Sequence, residues 1–103
     1  MTTVNITAQV ETTLAELGDT PDAIADRLRA LGIKGRQHSM RFCPIARLIE
    51  PLNGVEFVEV DGRYAFLSPD IDTTDWVWLP QPVREFVSWF DDGVYLDLAE
   101  VQA

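Results

Sequence analysis

Apolar positions along the chain recur at two different periods, and each change of period marks an element. Ile24, Leu28 and Leu31 keep helical spacing behind Thr20-Pro21-Asp22. There Thr20 suits an N-cap, Pro21 the first helical position and Asp22 the positive end of the helix dipole. Gly32 follows as a stop, so the spacing predicts a helix over 21–31. Ile45, Leu48, Ile49 and Leu52 form a second helical stripe behind Cys43-Pro44, limited in length by Pro51. Val83, Phe86, Val87 and Phe90 form a third, opened by Pro82 and closed by Gly93. Between the second and third stripes the period shortens to two. Residues 55–60 and 63–67 are β-rich runs joined by Asp61-Gly62, a strong hairpin signal. Asp75-Trp76-Val77-Trp78-Leu79 predicts a third strand, with Trp76 and Trp78 on one face and Val77 and Leu79 on the other, so both faces want cover.

Three stretches are less regular. Val4, Ile6, Ala8 and Val10 alternate like a strand, whereas Val10, Leu14 and Leu17 are spaced like a helix face. A loose N-terminus leading into a short helix that ends at Gly18 is the expected outcome. Residues 32–42 carry neither period and predict a loop, and Tyr95, Leu96 and Leu98 predict a docked half-turn or extended tail. The order is that of an α+β domain: a small antiparallel β-meander of about three strands packed against three or so helices, mainly on one face. Residues 20–103 are expected to form this single domain, behind a loosely ordered segment over 1–19.

Composition sets outer limits. The chain of 103 residues is long enough for one core, and its hydrophobic fraction of 47% and charged fraction of 24% are those of an ordinary globular protein. One cysteine forms no internal disulfide, and no apolar run approaches the ~18–20 residues that span a bilayer. Met1-Thr2-Thr3-Val4-Asn5 lacks the charged and apolar regions of a signal peptide, so a cytoplasmic protein is expected. Charge is more informative because it is unevenly placed. The net charge is −9, yet residues 27–47 hold six of the eight basic residues and no acidic one. This basic island (Arg27, Arg29, Lys34, Arg36, Arg41 and Arg47) also contains His38, the only histidine, and Cys43, the only cysteine. Lys34, Arg36, His38, Arg41 and Arg47 are therefore the candidate binding residues. The acidic balance elsewhere opposes general affinity for nucleic acid or membrane.

Several chemistries can be weighed against these residues. A thiol at a helix start near arginines can be activated, and His38 is the one available imidazole base, but no third group is evident to orient it. Free cysteine is among the most buried residue types, which favours a structural Cys43. One Cys and one His make no zinc motif, and Asp70, Asp72 and Asp75 lack the glycine and glutamate of a calcium loop, so no metal or cofactor is expected. Gly32-x-x-Gly35 beside Lys34 and Arg36 resembles a phosphate loop only superficially, because Gly32 closes a helix whose end presents carbonyls. Helix, loop, helix and hairpin is also the order of a winged helix-turn-helix, with Arg36, His38 and Arg41 approaching DNA and Asp61-Gly62 at the wing tip. The loop exceeds the usual 3–4-residue turn, and Glu56, Glu59 and Asp61 on the wing would repel phosphate. Trp76, Trp78, Trp89, Phe90 and Tyr95 are expected to be mostly core, with one or two left as an anchor beside Asp91, Asp92 and Asp97.

Asp19-Thr20-Pro21, Gly32-Ile33-Lys34-Gly35, Cys43-Pro44-Ile45-Ala46-Arg47-Leu48, Leu79-Pro80 and the Val83–Phe90 stripe together carry a resemblance. From Thr20 to Tyr95 the chain resembles a set of small uncharacterised proteins of actinobacteria and their phages. The position after Arg47 is often aromatic in that set and is Leu48 here, a departure that bears on packing. The resemblance implies an accessory protein of a bacterium or phage and implies no activity. The overall reading is a non-enzymatic protein that works by binding another protein. A nucleic-acid-binding regulator using residues 27–47 stands second, and a Cys43-centred thiol enzyme or redox sensor third.

Overall fold

The structure, a computed structural model, describes residues 6–52, 55–70 and 73–100. Helix α1 (Ile6–Ala15) resolves the ambiguous first stretch in favour of the helical spacing, with Ile6, Val10 and Leu14 buried. It lies against strand β3 (Thr73–Trp78), and its apolar stripe joins the core formed by the rest of the chain. The alternating Val4 lies outside the described residues.

Helix α2 (Pro21–Leu31) begins and ends as its sequence demands. The Thr20 hydroxyl accepts the Ala23 N–H at 3.1 Å, and Gly32 takes the left-handed conformation at φ 71°. The Gly32 and Ile33 N–H groups return to the Arg29 and Leu28 carbonyls, closing the last turn. Helix α3 (Pro44–Ile49) is shorter than its stripe, and Leu52 packs against the core from beyond its end. Helix α4 (Gln81–Asp91) runs along α2 and buries Val83, Phe86, Val87 and Phe90, so the third stripe is core as its spacing requires. Phe86 stacks on Phe90 and on Tyr95, with ring centroids 5.9 and 5.2 Å apart. Beyond Gly93, at φ 88°, a short 3-10 turn (Leu96–Leu98) buries Leu98.

Strands β1 (Phe57–Val60) and β2 (Tyr64–Asp70) pair antiparallel with each other, and β2 pairs antiparallel with β3, in the order β1-β2-β3. The chain is thus an α+β fold with a three-stranded meander. The hairpin turn differs in detail from the Asp-Gly pattern. Val60 pairs with Ala65, and the Asp61 N–H donates to the Tyr64 carbonyl, so Gly62 and Arg63 are the central residues. Asp61 contributes through its carboxylate, which accepts the Arg63 and Tyr64 N–H groups at 2.7 and 2.6 Å. Gly62 has no left-handed φ and open space where a Cβ would stand.

The sheet is sharply two-sided. Val58, Val60, Ala65, Leu67, Val77 and Leu79 are buried on the inner face. Trp76 and Trp78, which alternate with them on the other face, are 54% and 55% exposed. The expectation that both faces of this strand are covered is therefore corrected. The helices cover only the side that carries the smaller side chains.

Candidate functional site

The loop over 32–43 lacks any hydrophobic period, yet it is tied to three elements. Gly35 exchanges backbone hydrogen bonds with the tail, its N–H donating to the Leu98 carbonyl and its carbonyl accepting from Glu100. The Arg36 N–H donates to the Phe42 carbonyl at 2.7 Å, and the Met40 carbonyl accepts the Val60 N–H at the edge of β1. The Gln37 side-chain amide donates to the Phe90 carbonyl at the end of α4, and the His38 N–H to the Asp91 carboxylate. A Cβ on Gly35 would come within 2.4 Å of the Pro44 nitrogen. Gly35 and Cys43-Pro44 are thus one packing unit. Gly32 ends a helix, and Gly35 lets the backbone at 42–44 cross it.

Cys43 and His38 line one open cavity of about 610 Å³ together with Met40, Arg84, Val87 and Asp91. Cys43 is only 3% exposed, and its Sγ accepts the Ala46 N–H at 3.4 Å as the N-cap of α3. Burial pushes its thiol up to about 11, and the nearby Asp91 carboxylate acts in the same direction. Such a thiol stays protonated and poorly nucleophilic at neutral pH. No cluster of three or more His, Cys, Asp or Glu able to hold a metal occurs among the described residues. Asp72 lies outside the described residues.

The basic island divides into neutralised and free charges. Arg29 binds both Asp97 oxygens through Nε and Nη2, at 2.6 and 3.1 Å, and also reaches Asp26. This pairing holds the Asp97 carboxyl below its ordinary range. Arg47 pairs with Glu100 and donates to the Lys34 carbonyl. Arg36 and Arg41 form no ion pair among the described residues, and Lys34 is likewise exposed. The guanidinium carbons of Arg36, Arg41 and Arg47 lie 5.1, 5.7 and 5.9 Å from the centre of the Phe42 ring. Three of the candidate residues therefore converge on a single, partly exposed aromatic ring, at distances suited to cation–π attraction.

Arg41 also connects this cluster to the sheet. Its guanidinium lies 4.2 Å from the ring centre of Phe57, which alternates with buried Val58 and so belongs to the outer face. Across that face, Glu59 stands opposite Phe66 and Phe66 opposite Trp76, while Tyr64 stands opposite Trp78. Tyr64 touches both tryptophans, with centroid distances of 5.2 Å to Trp76 and 4.2 Å to Trp78. Tyr64 and Phe66 are half-buried by these neighbours, and the tryptophans stand open.

This aromatic face is what the sequence reading missed. Of the late aromatics expected in the core, Phe90 and Tyr95 are buried, but Trp76, Trp78 and Trp89 are all exposed. The Tyr95 hydroxyl donates to the Asp22 carboxylate at 2.7 Å, and burial together with that bond raises its pKa. Asp97 is taken up by Arg29 and Asp91 by the His38 backbone, and of the aromatics expected to stand exposed beside these acids Trp89, two residues before Asp91, does so. The missed signal was present in two strands. Tyr64 and Phe66 alternate with Ala65 and Leu67 just as Trp76 and Trp78 alternate with Val77 and Leu79. Comparison of the chain with known protein families, with curated proteins and with solved structures gives no match.

Proposed function

We propose that this is a small non-enzymatic accessory protein that binds another protein through the outer face of its sheet. The observation that carries the reading is the pair of half-exposed tryptophans, Trp76 and Trp78, backed by Tyr64 on a rigid antiparallel sheet. A fully buried aromatic side chain removes about 150–250 Å² from water. Covering the exposed halves of two tryptophans thus recovers on the order of 5 kcal/mol of apolar burial. Trp and Tyr are also the residues that dominate binding hot spots, and the ring contacts among Tyr64, Trp76 and Trp78 lower the entropy lost when a partner orders them. No helix among the described residues is long and apolar enough to cross a membrane. The accessory role implied by the resemblance to actinobacterial and phage proteins is compatible with a binding module of this size.

The other two readings have less support. In a winged-helix protein α3 would enter the DNA groove, but Pro44, Ile45, Ala46 and Ile49 of its six residues are buried. The Cys43 thiol caps α3, is buried, and has its pKa raised away from reactivity. Affinity capture from the source cell with the unmodified chain and with Trp76→Ala/Trp78→Ala tests the proposal. A protein retained by the first and lost by the second is the expected result. Identical captures from both would remove the sheet face as the binding surface.

A further inference from the structure

The aromatic face and the arginine cluster lie end to end. Arg41 bridges them, one guanidinium serving both Phe42 in the loop and Phe57 on β1. Arg36 and Arg41 are exposed and form no ion pair among the described residues, although the chain as a whole carries a charge of −9. In so acidic a protein, cations left unpaired beside an open apolar surface are the groups free to meet a carboxylate. From Phe57 to Trp76 is two strands across and two residues along, about 12 Å by standard sheet spacings. An extended chain covers about that distance in four residues.

Resting on the protein-binding reading above, we infer that the occupant is an extended protein segment with a carboxylate pair at one end and a large apolar side chain about four residues away. The carboxylates meet Arg36 and Arg41 beside Phe42, and the apolar side chain covers Trp76 and Trp78. Charge complementarity chooses this occupant over single-stranded nucleic acid, which also stacks on aromatic rings. A nucleic-acid strand needs cations along its whole path, whereas here the arginines stand at one end and Glu59, on the edge strand β1 opposite Phe66, puts a carboxylate beside the path to Trp76. Tyr64 meets Trp76 at 87° and Trp76 meets Trp78 at 77°, edge to face, and Tyr64 is tilted 43° to Trp78, so these rings do not offer a row of parallel faces to successive bases.

Selection of short random peptides displayed on phage, against the immobilised full chain, tests the inference. Enriched peptides should carry Asp or Glu three to five residues from Trp, Phe, Leu or Pro. As synthetic peptides they should lose about tenfold in affinity or more on Trp76→Ala/Trp78→Ala. They should lose about three- to tenfold on Arg36→Glu/Arg41→Glu, and the second loss should shrink as salt rises. A peptide with its acids changed to lysine should bind Arg36→Glu/Arg41→Glu better than the unmodified chain, which also shows that this variant is folded. Enriched peptides without acids, bound equally by the charge-reversed variant, would overturn the inference and leave the protein-binding reading standing. Enriched peptides indifferent to both double variants would overturn both. Tight, salt-steep binding of oligothymidylate, or a concentration-dependent dimer that Trp76→Ala/Trp78→Ala abolishes, would overturn the inference in favour of a strand of nucleic acid or a second copy of the chain.

Discussion

The two faces of the sheet are built from the same alternation and have opposite fates. The inner face carries Val58, Val60, Ala65, Leu67, Val77 and Leu79, all buried. The outer face carries Phe57, Tyr64, Phe66, Trp76 and Trp78, which are larger and more apolar in area, yet it is the face left open. Hydrophobicity alone would put the aromatics inside. The inner residues are instead those small enough for α1 and α3 to approach β3 and β1 at the sheet's two edges. The open tryptophans on that face are the observation on which the proposed protein binding rests.

The sharpest way to break this comparison is to delete one side chain from the core side. Phe86→Ala removes a ring stacked between Phe90 and Tyr95 and should cost about 3–5 kcal/mol, enough to abolish cooperative unfolding or send the protein into the insoluble fraction. Leu67→Ala on the inner face should cost about 2–5 kcal/mol by the same cavity mechanism. A melting transition unshifted by both would mean that the buried side has been assigned to the wrong face. Gly35→Ala probes the loop that joins core to surface. The backbone at Pro44 leaves no room for a methyl group, so a strong fall in thermal midpoint is expected, and wild-type stability would show that the crossing is loose.

Cys43 gives a pH test of a smaller effect. Its proton is held more tightly in the folded chain than in the unfolded one, so the associated stability is complete below about 9 and is lost as pH rises towards about 11. The loss is on the order of 3 kcal/mol. Denaturant midpoints should fall across that window and fall less in Cys43→Ala, and thiol reagents should label the native protein slowly at pH 7. Rapid labelling would restore the thiol reading. On the outer face, Trp76→Ala should change stability by only about 0.2–1 kcal/mol, the worth of exposed cross-strand contacts, while binding collapses. A stability loss as large as that of Leu67→Ala would erase the distinction between the faces. Smallest of all, Gly62→Ala at the hairpin tip should shift stability within about ±0.5 kcal/mol, because no left-handed φ and no close neighbour require glycine there.

What the sequence determined by itself is whatever acts over a few residues. Thr20 and Pro21 start α2 and Gly32 stops it, because caps and left-handed glycine act through immediately adjacent backbone groups. The Val83–Phe90 stripe and the strand alternations likewise follow from period alone, and with them the α+β class. The candidate residues Lys34, Arg36, His38, Arg41 and Arg47 were legible as a charge anomaly, but the convergence of three arginines on Phe42 was not. They sit on or beside a loop without a period, and its path is set by distant bonds to Phe90, Val60 and Leu98. Only the tertiary structure decided which side of the meander the helices cover. Alternation places Trp76 opposite in face to Val77, but it carries no sign, and the choice of inside belongs to the volume that the neighbouring helices can accept.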